Sequence, residues 1–262
     1  VRSITKSIPT RGASVFQVWY RNLLIFRKTW KVNVFWIALE PFFFLVAIGY
    51  GLGSFVPDIS GISYAEFFFP ALLCTTSMMV AFFECSYSNF SKLNYQNTYS
   101  TMILSPLQPH EILWGELLWG ATKGLLSALS VILIGQLFGL GQTLMVFPAL
   151  IVIAMNSLLF AVLGMLVTTL VRNYDGIIYP TSGLIIPMSL FSGTYYPKEQ
   201  LPELLYYLSY VFPLTHFVDM TRMALVEGSF SWWSLLSLLY VGVLFYFLLK
   251  MTHEKLLARL FS

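Results

Sequence analysis

Between two membrane-length apolar runs, residues 191–227 read FSGTYYPKEQLPELLYYLSYVFPLTHFVDMTRMALVE. The stretch holds two apolar pieces, 203–212 and 214–227, set off by Pro197, Pro202 and Pro213. Crossing a bilayer takes about 20 apolar residues, and pieces of roughly 10–14 read as re-entrant or interfacial. Broken backbone at membrane depth persists only where protein or a watery cavity covers it. The stretch therefore predicts a pathway mouth or gate, which argues for transport rather than passive anchoring.

The rest of the composition agrees. The chain is 57% hydrophobic and 10% charged, with a mean hydropathy of +0.74, whereas a soluble domain carries about 25% charged residues. This predicts an all-α polytopic membrane protein with six transmembrane helices, drawn at 33–54, 64–88, 112–138, 143–169, 177–192 and 231–250. Residues 1–32 form a basic N-terminus with an interfacial helix, 33–250 the transmembrane domain, and 251–262 a tail.

Orientation follows from charge. Residues 1–32 carry seven cations (Arg2, Lys6, Arg11, Arg21, Arg27, Lys28 and Lys31) and no acid. They are too polar to read as a cleavable signal, and they read as a cytoplasmic signature rather than a nucleic-acid patch. With both termini inside, the cytoplasmic parts hold 12 Lys and Arg, and the outer loops hold two, Lys198 and Arg222. Within 14–31, Trp19, Leu23, Phe26 and Trp30 recur at helical spacing, which predicts an amphipathic helix in the cytoplasmic interface. A plain helical extension of the first span is the alternative. Residues 91–111 form the longest polar cytoplasmic connection; Asn97–Thr98 are placed to cap a short helix running to Ser105, stopped by Pro106 and Pro109. Met102, Ile103 and Leu104 give that helix an apolar face that needs a partner, either another subunit or its own bundle.

Chemistry is sparse. There is no GxxxxGK[ST] phosphate loop, no HExxH, no Cys/His metal spacing and no dinucleotide fingerprint. Cys74 and Cys85 are eleven residues apart in one apolar run, about 16 Å along a helix, too far to bridge. A serine-protease reading of Ser192–Gly193 with His216 fails on Leu190, where an elbow needs Gly. Ionisable residues at membrane depth say more, since each costs about 2.5–3.5 kcal/mol at mid-bilayer on insertion scales. Glu40 and Glu84 lie at similar depth in the first and second spans and could meet, either beside the pathway or as structural carboxylates. Lys123 lies two turns beyond Glu116 on the same face and reads as structural, with room to snorkel. Most of Trp30, Trp36, Trp114, Trp119, Trp232 and Trp233 read as interface belt, although some aromatics could line a route for sugar rings or acyl chains.

Several ordered pieces resemble a known family. Glu40–Pro41 leads into GYGLG at 49–53. Phe82–Phe83–Glu84 is followed by NTYSTMILSPL at 97–107, Gly115–Glu116, RNYD at 172–175, FSGTYYP at 191–197, QLP at 200–202 and PLTH at 213–216. Together they resemble ABC-2 type permeases, most closely the lipo-oligosaccharide exporter branch, over about 14–250. Ser100 departs from the acidic residue often found there in relatives. The resemblance implies an exporter permease without its own ATPase site, in the inner membrane of a Gram-negative bacterium. Its partners would be a second copy of itself and two ABC ATP-binding subunits, which bind the ATP and Mg. It would have no cofactor of its own. The coupling helix at 95–105 would use Tyr95, Asn97, Tyr99, Met102, Leu104 and Ser105. The gate at 194–227 and the preceding span end would use Ser192, Gly193, Pro197, Pro202, Pro213 and His216. Cargo would be amphipathic, a lipo-oligosaccharide or polysaccharide; a drug or lipid efflux permease and, more remotely, a membrane enzyme or scaffold stay open.

Overall fold

The computed structural model describes residues 11–59, 61–141, 144–229 and 231–261, with side chains from Ser14 onward. Arg2 and Lys6 lie outside the described residues. Helices carry nearly all of it: α1 (Arg11–Lys28), α2 (Trp30–Phe55), α3 (Tyr64–Asn94), α4 (Thr98–Ile103), α5 (Pro109–Leu137) and α6 (Val146–Leu170), then α7 (175–191), α8 (Glu203–Ser209), α9 (213–227) and α10 (Trp232–Leu260). Among the described residues no strand forms beyond one isolated bridge, Ile59 to Ile62.

Five helices, α2, α3, α5, α6 and α10, are long and apolar enough to cross a membrane. The expected fifth span is α7. At 1.5 Å per residue it rises about 25 Å, less than the ~30 Å hydrocarbon core, and Pro180 and Pro187 each remove a ladder hydrogen bond inside it. The last helix does not stop at 250 but runs to Leu260, because nothing between Lys250 and Leu260 breaks it.

The centre is α3 against α5 and α6. Small residues allow the close approach that membrane helices use in place of a hydrophobic drive. A Cβ on Gly164 of α6 would lie 2.5 Å from the Phe82 carbonyl of α3, so only glycine fits there. Asn156 Nδ2 donates to the Cys74 carbonyl (2.9 Å) and to Ser77 Oγ (2.8 Å), tying α6 to α3. Cys74 and Cys85 are both buried and free.

Helices α2 and α3 have breaks that their neighbours repair. Pro41 has no N–H to offer the Ile37 carbonyl four residues back. The hydroxyls of Ser127 and Ser130 on α5 donate to that carbonyl at 3.1 and 3.0 Å. Helix α3 widens to a π turn at Glu84–Ser88, and the Thr168 hydroxyl of α6 donates to the carbonyls of Cys85 and Ser86 (2.8 and 2.9 Å). This is what a low-dielectric setting demands, since freed backbone groups need a partner there.

Helix α1 lies along α5. The buried residues are Ser14, Val18 and Asn22, one turn apart. Gly115 makes room, since a Cβ there would sit 2.5 Å from Val18 Cβ. Trp19 and Phe26 flank this face and reach Trp119 edge-on at 6.3 and 5.6 Å, while Trp30 is exposed. Phe16, Tyr20 and Leu24 also point outward. The helix therefore has two apolar faces, one on the bundle and one free, because its small residues rather than its large ones set the line of closest approach.

Candidate functional site

Three groups of residues stand out, two near the α4 end of the bundle and one at the opposite end.

Helices α3 and α5 run antiparallel and exchange charges twice. Lys92 Nζ of α3 donates to Glu116 Oε2 of α5 at 2.6 Å, with the Glu116 side chain fully buried. Higher up, Lys123 Nζ of α5 donates to Glu84 Oε2 of α3 at 2.8 Å. Asn22 Nδ2 from α1 donates to Glu116 Oε2 (2.9 Å), and Arg21 Nη1 lies 3.9 Å from Oε1. Asn89 Oδ1 accepts from Lys92, Trp119 Nε1 donates to Glu84, and Asn33 Oδ1 of α2 accepts from Lys123. A cavity of about 170 Å³ opens between these groups. The expected meeting of Glu40 with Glu84 does not occur. Glu84 turns to Lys123, an opposite charge one helix away. Glu40 instead lines a separate slot of about 50 Å³ with Trp36, Phe44, Thr76, Phe83 and Thr194.

Short helix α4 sits below this network. Its Tyr99 ring is fully buried, among Ile112, Leu113, Leu117 and Leu256. Burying an aromatic side chain contributes roughly 1.5–3 kcal/mol, enough to fix a two-turn helix that could not hold itself. Asn97 does not cap it with its side chain; its backbone takes the left-handed region (φ 49°), which asparagine tolerates. The helix ends at Ile103, short of Ser105. Tyr95, Leu104 and Ser105 are exposed, Leu104 at 89%, while Met102 is half-buried.

The opposite end holds the broken helices. Pro202 precedes α8, and Pro213 opens α9 at a position where its missing N–H costs nothing. Gly193 takes a positive φ of 71°, and its carbonyl accepts from Arg222 Nη2 at 2.8 Å. The same guanidinium lies 4.0 Å from the Phe67 ring centre on α3. Ser192 and Thr194 are buried on either side, and neither hydroxyl has a protein partner among the described residues. Lys198 pairs with Asp219 of α9. His216 is held at both nitrogens, by Ser237 Oγ of α10 and by the Tyr210 carbonyl, each at 2.9 Å. It is not poised against Ser192, which removes the protease arrangement. Pro197 ends the turn after Gly193 and leads into a short 3-10 turn, Lys198–Gln200.

Residues 13–226 match the family model described as ABC-2 type transporter. The chain belongs to the ABC-2 type transporter family. Nodulation protein J of Rhizobium leguminosarum bv. viciae is 33% identical over 216 residues, covering 82% of this chain and 83% of that one. Nodulation protein J of Sinorhizobium fredii (strain NBRC 101917 / NGR234) is 31% identical over 220 residues, 84% of each. A more distant relative, the inner membrane transport permease YadH of Escherichia coli (strain K12), is 23% identical over 203 residues, 77% of this chain and 78% of that one. No solved structure matches the chain. As an ABC-2 permease it is a polytopic helical membrane subunit of a transporter.

Sequence reasoning placed the α4 residues and the broken helices in the right stretches. It missed Asn22, the Lys92–Glu116 pair, Asp219 and the Arg222 clamp. A buried Glu116 could have been suspected from its place entering a span with no cation one turn away on its own helix.

Proposed function

We propose that this ABC-2 permease is the membrane half of an exporter that pairs with a second copy and with two separate ATP-binding subunits. In this reading both termini face the cytoplasm and the end carrying 192–227 faces outward across a bacterial inner membrane. Cargo is amphipathic, a lipo-oligosaccharide or polysaccharide, as the likeness to two nodulation proteins J supports. The observation that carries the coupling step is the construction around α4: the helix is anchored through Tyr99, and the residues flanking it, Tyr95, Leu104 and Ser105, are exposed. An exposed leucine beside an anchored helix suits a groove on a nucleotide-binding partner, which holds the ATP and Mg. Asn97 shapes the entry to that helix, and Met102 borders the exposed face.

The gate reading rests on the opposite end. Ser192, Gly193 and Thr194 form a buried turn clamped by Arg222, with Pro197, Pro202 and Pro213 keeping the following helices short, and His216 docks them on α10. Glu40, in its slot beside Thr194, borders the path between α2 and α3, whereas Glu84 and Lys123 serve assembly.

The test replaces Leu104 with Asp, a change that leaves the Tyr99 anchor in place. The permease should keep its melting temperature yet lose copurification with the ATPase, or lose cargo-stimulated ATP hydrolysis. Unchanged copurification together with unchanged stimulation would sink the coupling reading. Topology is tested separately, in a background lacking Cys74 and Cys85: single cysteines at Asn97 and Glu199 should label from opposite sides with an impermeant thiol reagent.

A further inference from the structure

A large cleft at the α8–α10 end belongs neither to the α4 surface nor to the buried gate turn. Its volume is about 700 Å³, within the span of about 300–1,000 Å³ typical of small-molecule sites. Its walls are aromatic: Tyr206, Tyr207, Tyr210, Trp233 and Tyr240. The rings stand at steep angles to one another, Tyr206 to Tyr207 at 73° and Tyr206 to Tyr210 at 81°. Several are tied in place. Tyr240 Oη donates to the Val211 carbonyl at 2.6 Å, and the hydroxyls of Tyr206 and Tyr210 lie 3.2 Å apart. Two faces remain open, Tyr207 at 64% and Trp233 at 71% exposure.

The polar groups decide what could sit there. Lys198 is already neutralised by Asp219 and lies 4.5 Å over the Tyr210 ring. Burial pushes the His216 imidazole down from its ordinary pKa, so it is neutral near pH 7. Glu199, exposed on the rim, makes no ion pair among the described residues. The cleft thus carries one uncompensated negative charge and no spare cation, which disfavours phosphate and anionic headgroups. Aromatic faces beside carboxylates suit a neutral polyol: its C–H faces stack on the rings and its hydroxyls donate to Asp219, held by Lys198, and to Glu199 on the rim. Beside the cleft, α10 exposes Leu235, Leu236, Leu239 and Val243, an apolar strip along which an acyl chain could lie.

We propose that this cleft binds a neutral pyranose ring, either as a free saccharide or as the head of a glycolipid whose chain follows α10. The site does not depend on the ATP-coupling reading, since binding is measured without nucleotide or partner subunit.

The full chain is reconstituted in phosphatidylethanolamine nanodiscs. The probes are an N-acetylglucosamine trisaccharide, the same trisaccharide carrying one acyl chain, a choline lipid and inorganic phosphate. Both saccharides should bind saturably, the acylated one more tightly if the strip contributes; equal affinity assigns the free saccharide. Phosphate should not bind. Trp233→Ala and Tyr207→Ala should each weaken saccharide binding up to roughly tenfold, the size of one lost aromatic contact. Both side chains are exposed, so the melting temperature should hold. Saccharide binding unchanged in both variants, absence of saccharide binding, or a stronger response to the choline lipid, which an aromatic cage can also take, would each overturn the proposal.

Discussion

The two ends of this permease satisfy their buried polar groups in different ways. Near α4, charge meets charge between two long helices: Lys92 with Glu116 and Glu84 with Lys123. At the other end the helices are broken, and the buried cation Arg222 is held by the Gly193 carbonyl and the Phe67 ring rather than by a carboxylate. The first end can therefore stay rigid: moving α3 against α5 separates ion pairs, and the π turn of α3 at Glu84–Ser88 is already met by Thr168. The second end also holds an ion pair, Lys198 with Asp219, but its turn is clamped by Arg222 on a backbone carbonyl, so moving that turn exchanges hydrogen bonds. That division fits a fixed frame at the α4 end and a movable turn at the Gly193 end.

The sharpest way to break this comparison is at Glu116. Glu116→Leu leaves Lys92 buried without its partner and should cost about 3–5 kcal/mol, whereas replacing both, Lys92→Met with Glu116→Leu, should recover most of it. Thermal unfolding in detergent measures both. A double variant as unstable as the single one would mean that the pair is not what matters. Next comes Arg222→Gln, which can still reach one carbonyl but loses the charge; about 1.5–3 kcal/mol is expected, the size of a charge-assisted hydrogen bond. If Arg222→Gln were harmless, the Gly193 turn would not depend on its clamp. Glu84→Gln keeps one acceptor oxygen where Trp119 and Lys123 now use two, and should cost about 1–2 kcal/mol, with Glu84→Leu worse. A stable Glu84→Gln variant that no longer transports would give this residue a charge-dependent role instead. The smallest effect should come from Ser130→Ala, under about 1 kcal/mol, because Ser127 still serves the Ile37 carbonyl. Removing both hydroxyls should cost about 1–3 kcal/mol, more than the two singles together.

The spans were legible because apolar runs of that length have few other uses, and the broken helices because Pro202 and Pro213 interrupt an apolar stretch. The Lys92–Glu116 pair was not legible. Its members are 24 positions apart, and whether they face one another depends on how two helices rotate about their axes. Glu84 and Glu40 looked equivalent by depth, but depth does not say which neighbour each one faces. The buried line of α1 was not legible for a related reason: Val18 opposite Gly115 sets the contact, and neither residue stands out in the sequence. At α4 the short helix was visible in the sequence. Its Tyr99 anchor was not, since a tyrosine beside polar residues reads as surface until the fold covers it.

The reciprocal charges on α3 and α5 also limit how these two helices can move. Glu84 and Lys92 lie eight residues apart, and Glu116 and Lys123 seven, so the pairs are spaced by about 10–12 Å along the axes. A slip of that distance in one direction brings Lys123 opposite Lys92, and in the other Glu116 opposite Glu84. Sliding is thus blocked by like-charge contact both ways. Whatever this transporter does in its cycle, α3 and α5 travel together as one beam, and relative motion is left to the helices hung on either side of it.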